Sequence, residues 1–288
     1  MSRIILKKLT KPHIWKRIAI ERLTEPLHLN LASLFVAIFG SFRAKVAFDL
    51  VVRQHTAYCL LRCADQARAR GLYSVTVIEF GVASGAGLLN MAEIASRVTL
   101  ETGVKFKIIG FDTARGMPPP VDYRDHPDLY REGDFRMDEE VLRRSMPSNV
   151  ELVIGDLKDT ARDIVDFLAP DSPLGYICVD VDFYNSTKQA LSCLAGAPNL
   201  YLPMTYVYLD DLEDDAHNSN CGELLALSEF NREAFPRVIE RPAFLRGYRI
   251  MKNARWIDHV FVYHVLDHPA RAQPSVGVAN VDLENPYL

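Results

Sequence analysis

The spacing of apolar positions divides the chain into three stretches. Over residues 44–70 apolar side chains such as Val52, Leu60 and Ala67 recur at helical spacing, and Gly71 suits a helix stop. Residues 1–70 as a whole predict helices and no strand. From Ser74 onward, short continuously apolar runs alternate with amphipathic segments. Runs at 75–80, 105–111, 151–154, 176–179 and 205–209 predict five buried strands. Segments starting near Leu88 and at 157–168, 186–195 and 221–233 predict the helices between them. This alternation predicts an α/β fold, a parallel sheet with helices on both faces. Runs at 248–251 and 259–263 leave no room for a helix between them, which predicts an antiparallel pair closing one sheet edge. Residues 269–288 hold several Pro and little periodicity and predict a loose tail. The expected division is a helical extension or lid over 1–70, an α/β body over 71–268, and the tail.

Composition adds limits. With 49% hydrophobic and 24% charged residues, the 288-residue chain is of ordinary globular type. A net charge of −4 argues against a general nucleic-acid binder. That charge is uneven: residues 1–25 carry seven Lys or Arg and two Glu, and the remainder carries −9. The apolar run at 31–40 that follows is about half of the ~20 residues needed to span a bilayer. It predicts a helix packed on the body, with weak membrane-surface contact as the alternative. Five cysteines show no zinc-type spacing; Cys59 and Cys63 lie one helical turn apart and predict core positions. A reducing cytoplasm is the simplest expected home.

Candidate chemistry gathers at the strand ends. Glu79-Phe80-Gly81-Val82-Ala83-Ser84-Gly85-Ala86-Gly87 follows the first strand, where glycine lets a ligand approach the backbone. Its spacing, G-x-x-x-G-x-G, fits neither the dinucleotide fingerprint nor a phosphate loop. Glu79 suits a cationic or hydroxyl-bearing ligand and would repel a pyrophosphate. The pattern resembles the first motif of class I methyltransferases that use S-adenosylmethionine. Asp112 ends the second strand, placed to accept hydrogen bonds from ribose hydroxyls. Asp180 and Asp182 follow the fourth strand; as residues i and i+2 they would share a face. Ser186 or Thr187 is expected to cap the next helix. Asp210 and Asp211 follow the fifth strand and would point together only if the strand ends there and the chain turns. Carboxylates from two adjacent strand ends, completed by waters, suit Mg²⁺. Glu213-Asp214-Asp215 predicts a solvated acidic loop. His259, His264 and His268 have no ligand spacing and read as structural or surface residues. His55 and Tyr58, one turn apart, are compatible with either core packing or a substrate-facing role. No G-x-S-x-G frame is present.

In this order the pieces resemble the macrocin O-methyltransferase family, whose members methylate sugar hydroxyls of antibiotics and related compounds. Asp180-Val181-Asp182-Phe183-Tyr184-Asn185-Ser186-Thr187 matches that family's D-x-D-x-Y-x-S-T. Gly110-Phe111-Asp112 with Gly116-Met117-Pro118, and the pair Asp210-Asp211, match two further motifs. The resemblance implies a Rossmann-like class I methyltransferase fold: a mostly parallel seven-stranded sheet with an antiparallel last strand. It also implies two cofactors, S-adenosylmethionine and Mg²⁺. Gly81, Gly85 and Gly87 would line the methionine and ribose of the first, Asp112 would hold the ribose hydroxyls, and Gly155-Asp156 would lie near the adenine. Asp180, Asp210 and Asp211 would bind Mg²⁺, and Asp182 would be the general base. The implied partner is a glycosyl or polyol small molecule, with the chain itself a homo-oligomer. Two rivals stay open: an iron-dependent hydroxylase resembling cephalosporin hydroxylases, and a non-catalytic cofactor-binding partner.

Overall fold

The computed structural model describes residues 19–212 and 216–272. Expectations for residues 1–18, for Glu213-Asp214-Asp215 and for residues 273–288 lie outside the described residues. Seven strands form one sheet: β1 (Ser74–Phe80), β2 (Lys105–Asp112), β3 (Val150–Ile154), β4 (Leu174–Val179), β5 (Tyr201–Leu209), β6 (Val238–Glu240) and β7 (Val260–His264). Their order is β3-β2-β1-β4-β5-β7-β6. β1 to β5 run parallel, and β7 runs antiparallel to both β5 and β6. This is the Rossmann-like sheet of class I methyltransferases. The order reverses between β1 and β4, which opens a crevice at the carboxyl ends of those strands.

The period of two along each strand builds two cores. Val75, Val77, Ile108, Tyr176 and Cys178 face one side. Their strand neighbours Ile78, Phe80, Ile109, Ile177 and Val179 face the other. The helices are α1 (Leu27–Phe39), α2 (Phe42–Ala47), α3 (Gln54–Arg68), α4 (Ala86–Thr102), α5 (Glu139–Ser145), α6 (Leu157–Thr160), α7 (Tyr184–Leu191), α8 (Gly222–Glu233) and α9 (Leu245–Tyr248). α3 lays Ala57, Leu60, Cys63 and Ala67 into the first core, and α8 lays Ala226 and Leu227 into the second. Cys59 and Cys63 are fully buried, as their spacing predicts.

Four local expectations are corrected. The helical pattern over 44–70 is two helices, because Asp49 (φ 53°) and Arg53 (φ 54°) adopt left-handed backbone between α2 and α3. The segment 157–168 is only one α-turn, α6, continued as 3₁₀ turns over Ala161–Phe167. Residues 248–251 are not a strand; β6 takes their place beside β7. There Arg249 turns inward, donating to the carbonyl of Val46 at 2.7 Å and pairing with the Asp49 carboxylate. Finally, α1 does not bury its large apolar side chains; only Ser33 is buried. No helix among the described residues is long and apolar enough to cross a membrane.

Candidate active site

A cavity of about 430 Å³ opens at the carboxyl ends of β1, β2, β4 and β5. Glu79, Gly81, Gly87, Asp112, Gly155, Asp156, Asp180, Asp182, Asp210 and Asp211 all line it. Of the residues the sequence singles out for the site, only Gly85 lies off it. It caps the start of α4 at φ +79°, and a Cβ there would stand 2.2 Å from Leu142.

The loop after β1 is held by its neighbours. Gly81 (φ +82°) leaves no room for a side chain: a Cβ would stand 1.7 Å from the carbonyl oxygen of Asp180. The Asp112 carboxylate accepts the N–H groups of Val82 (2.9 Å), Ala83 (2.8 Å) and Ala114 (2.7 Å). Ala83 and Ala114 have φ of 47° and 58°, a conformation that costs an L-residue about 1–2 kcal/mol. The charge-assisted bonds to Asp112 offset that cost. Asp112 therefore orders the loop as well as lining the cavity.

The acidic wall is the site's main electrostatic feature. Burial pushes Glu79 up to about 8, with Asp180, Asp210 and Asp112 raising it further and Arg53 opposing. Asp180 is also pushed up to about 8, by burial first and then by Asp210 and Asp182. Asp211 is raised well above the carboxylate range by burial and by Glu223, which is itself buried and raised. Burial raises Asp182 too, against hydrogen bonds with the Tyr130 hydroxyl and with Asp211. One oxygen each of Glu79, Asp211 and Glu223 is buried without a hydrogen-bond partner. Carboxylates so arranged stay together only by holding protons or a cation.

Asp180 and Asp182 meet in the cavity for a reason other than strand pleat. β4 ends at Val179, and Asp182 takes φ +57°, so a turn directs them together. Asp210 and Asp211 lie where β5 ends and the chain turns, the condition their sequence position required. Neither Ser186 nor Thr187 caps α7. The Thr187 hydroxyl donates to the carbonyl of Phe183 (2.8 Å), and Ser186 lines the cavity. The cap comes from a distant loop instead: buried Asp125 accepts the Asn185 backbone N–H at 3.0 Å and its side-chain amide at 2.8 Å.

Four residues escaped the sequence reading. Arg53 lines the cavity, and the charges of Glu79, Asp180 and Asp210 outweigh its burial and hold it more firmly protonated. Tyr130 contacts Asp182, Asp125 holds α7, and Glu223 accepts the backbone N–H of Asp211 at 3.2 Å. Glu223 stands in the first turn of α8, where an acid carries no site signal of its own, and Arg53 stands in no motif. His259 is structural as expected, its Nδ1 bonded to the Leu209 carbonyl at 2.8 Å. His55 stacks on Tyr208 at 3.8 Å and Tyr58 packs near Trp256, which places both in the core. Among the described residues, no group of three or more His, Cys, Asp or Glu side chains is arranged to hold a metal ion as it stands.

The sequence matches no protein-family model and no curated protein. Among solved structures, the chain is similar to the O-methyltransferase NovP (17% identity, 72% of this chain and 78% of that one, TM-score 0.48). It is similar to the calicheamicin methyltransferase CalS11 (20% identity, 71% and 84%, TM-score 0.45). It also matches the mycinamycin-pathway methyltransferase MycE, solved with Mg, S-adenosylhomocysteine and mycinamycin VI (12% identity, 66% and 44%, TM-score 0.34).

Proposed function

We propose that the protein is an S-adenosylmethionine-dependent, Mg²⁺-assisted O-methyltransferase acting on a hydroxyl of a sugar or glycosylated small molecule. The observation that carries this reading is the cavity itself, which a glycine loop and the acids of the strand ends line together. Glu79 and Gly87, with Gly81, Asp112 and Asp156, form the side that would hold the cofactor. Gly85 contributes by starting α4. Asp180, Asp210 and Asp211 form the side that would hold the cation. The donor set fits: hard oxygen ligands whose mutual repulsion a divalent cation relieves, with an unpartnered oxygen on Asp211. Some side-chain closure is needed to bring these oxygens around one point.

The cofactor supplies an electrophilic methyl group, and the cation makes a bound hydroxyl more acidic. The chain's own residues must align the hydroxyl and remove its proton. Asp182 is suited to the second task. It accepts a hydrogen bond from the Tyr130 hydroxyl, which favours its ionised form. Among the helices over residues 19–70, the α2–α3 junction lines the cavity through Arg53, and the chain would act as a homo-oligomer.

Calorimetric titration with S-adenosylhomocysteine, with and without Mg²⁺, tests the reading. Micromolar binding, together with an Mg²⁺ heat that vanishes in Asp180→Ala, is the expected result. No binding in either condition overturns it.

A further inference from the structure

α1 is built inside out for a helix in water. Leu27, Leu31, Leu34, Phe35, Ile38 and Phe39 fall at helical spacing on one stripe and are 59–75% exposed. Its small side chains turn the other way, with Ser33 buried and Ala32 and Val36 half-buried. The segment is tied to the body by polar groups. Arg22 donates to the carbonyl of Phe48 at 2.8 Å and buried Glu25 accepts the N–H of Asn253 at 2.6 Å, while within the segment Asn30 donates to the carbonyl of Arg22 at 2.9 Å. A contiguous apolar stripe of this size, held outward by polar anchors, marks a contact surface.

The neighbouring charge identifies what that surface meets. Residues 1–18, immediately before this segment, hold six Lys or Arg and no acid. The two acids that follow are turned away: Glu25 to the backbone of Lys252 and Asn253, Glu21 to the backbone of Arg255. α1 itself carries no charged side chain. Electrostatic attraction favours an anionic surface over a second copy carrying the same positive charge. At 13 residues α1 is about 20 Å long, a length suited to lying in a bilayer interface rather than crossing it.

We propose that the exposed α1 stripe seats the protein on an anionic lipid bilayer. The apolar side chains enter the headgroup boundary, and the positive charge of the preceding sequence favours anionic lipid. This goes beyond the methyltransferase reading and does not depend on it, because its readout is lipid binding.

The test is co-sedimentation of the full chain with vesicles of phosphatidylcholine mixed with phosphatidylglycerol, and of phosphatidylcholine alone. The expected result is salt-sensitive binding to the mixed vesicles that is at least about tenfold weaker on phosphatidylcholine. Leu34→Asp with Ile38→Asp should weaken it about tenfold or more while leaving the melting temperature and S-adenosylhomocysteine binding unchanged. Lys7→Glu, Lys8→Glu and Lys11→Glu together should do the same through charge alone. No binding to the mixed vesicles, or binding that neither variant weakens, overturns the proposal. So does a dimer in sedimentation velocity that the Leu34→Asp, Ile38→Asp chain loses while vesicles stay unbound: the stripe would then join two copies.

Discussion

The carboxylate of Glu79 occupies the space that a side chain at Gly87 would need, since a Cβ on Gly87 would stand 1.9 Å from Glu79 Oε1. The first turn of α4 and the end of β1 are thus fitted directly against each other. Gly87→Ala should displace Glu79 and weaken S-adenosylhomocysteine binding about tenfold or more by calorimetry, with the fold retained. Gly103→Ala is the control. That glycine has φ +79° but open space around it, so its substitution should cost about 1 kcal/mol of stability and leave binding unchanged.

Acidity should destabilise this protein less than its many carboxylates suggest. Glu79 and Asp180 ionise near 4 in an unfolded chain and at about 8 in the folded one. Between those values the folded state holds more protons than the unfolded state. These two groups therefore lower stability as pH rises from about 4 to about 8, and their effect levels off above that. Without metal, the melting temperature of the wild type relative to Asp180→Asn should fall across this window. Added Mg²⁺ should stabilise more near pH 8 than near pH 6, because the cation replaces protons. A wild-type advantage that grows with pH without metal would contradict the burial of these acids.

With Asp182 as the proposed proton acceptor, Asp182→Asn should leave cofactor binding intact and lower turnover about 10²-fold or more, while keeping the turn. Asparagine tolerates the left-handed conformation that Asp182 adopts, so folding should be unaffected. Turnover close to wild type would assign the proton to another group.

The Arg249–Asp49 pair joins the break between α2 and α3 to the segment after α9. Both side chains are buried, and Trp256 Nε1 donates to the second Asp49 oxygen at 3.2 Å. Asp49→Ala leaves Arg249 buried and uncompensated and should cost about 3 kcal/mol in urea unfolding. The exposed Arg144–Glu140 pair on α5, by contrast, should contribute under about 1 kcal/mol when Glu140 is replaced by Ala.

The sequence by itself determined the parallel strands, the alternation with helices and the acids at strand ends. Each of these is a local property: a short, nearly continuous apolar run marks a buried strand such as Val75-Thr76-Val77-Ile78, and an acid at or just after its end stands at the sheet's carboxyl edge whatever else the chain does. Glu79, Asp112, Asp180, Asp182, Asp210 and Asp211 were legible in this way. What only the tertiary structure decided is everything reached across the chain. Arg53 enters the acidic wall because a left-handed break precedes α3. Asp125 caps a helix 60 residues on. Residues 248–251 lose their strand to β6 because Arg249 is drawn into a buried ion pair. The outward stripe of α1 belongs to the same class. Its apolar positions were visible, but which side of a mostly apolar helix faces water is set by the polar anchors Arg22, Glu25 and Asn30, whose partners lie outside the helix.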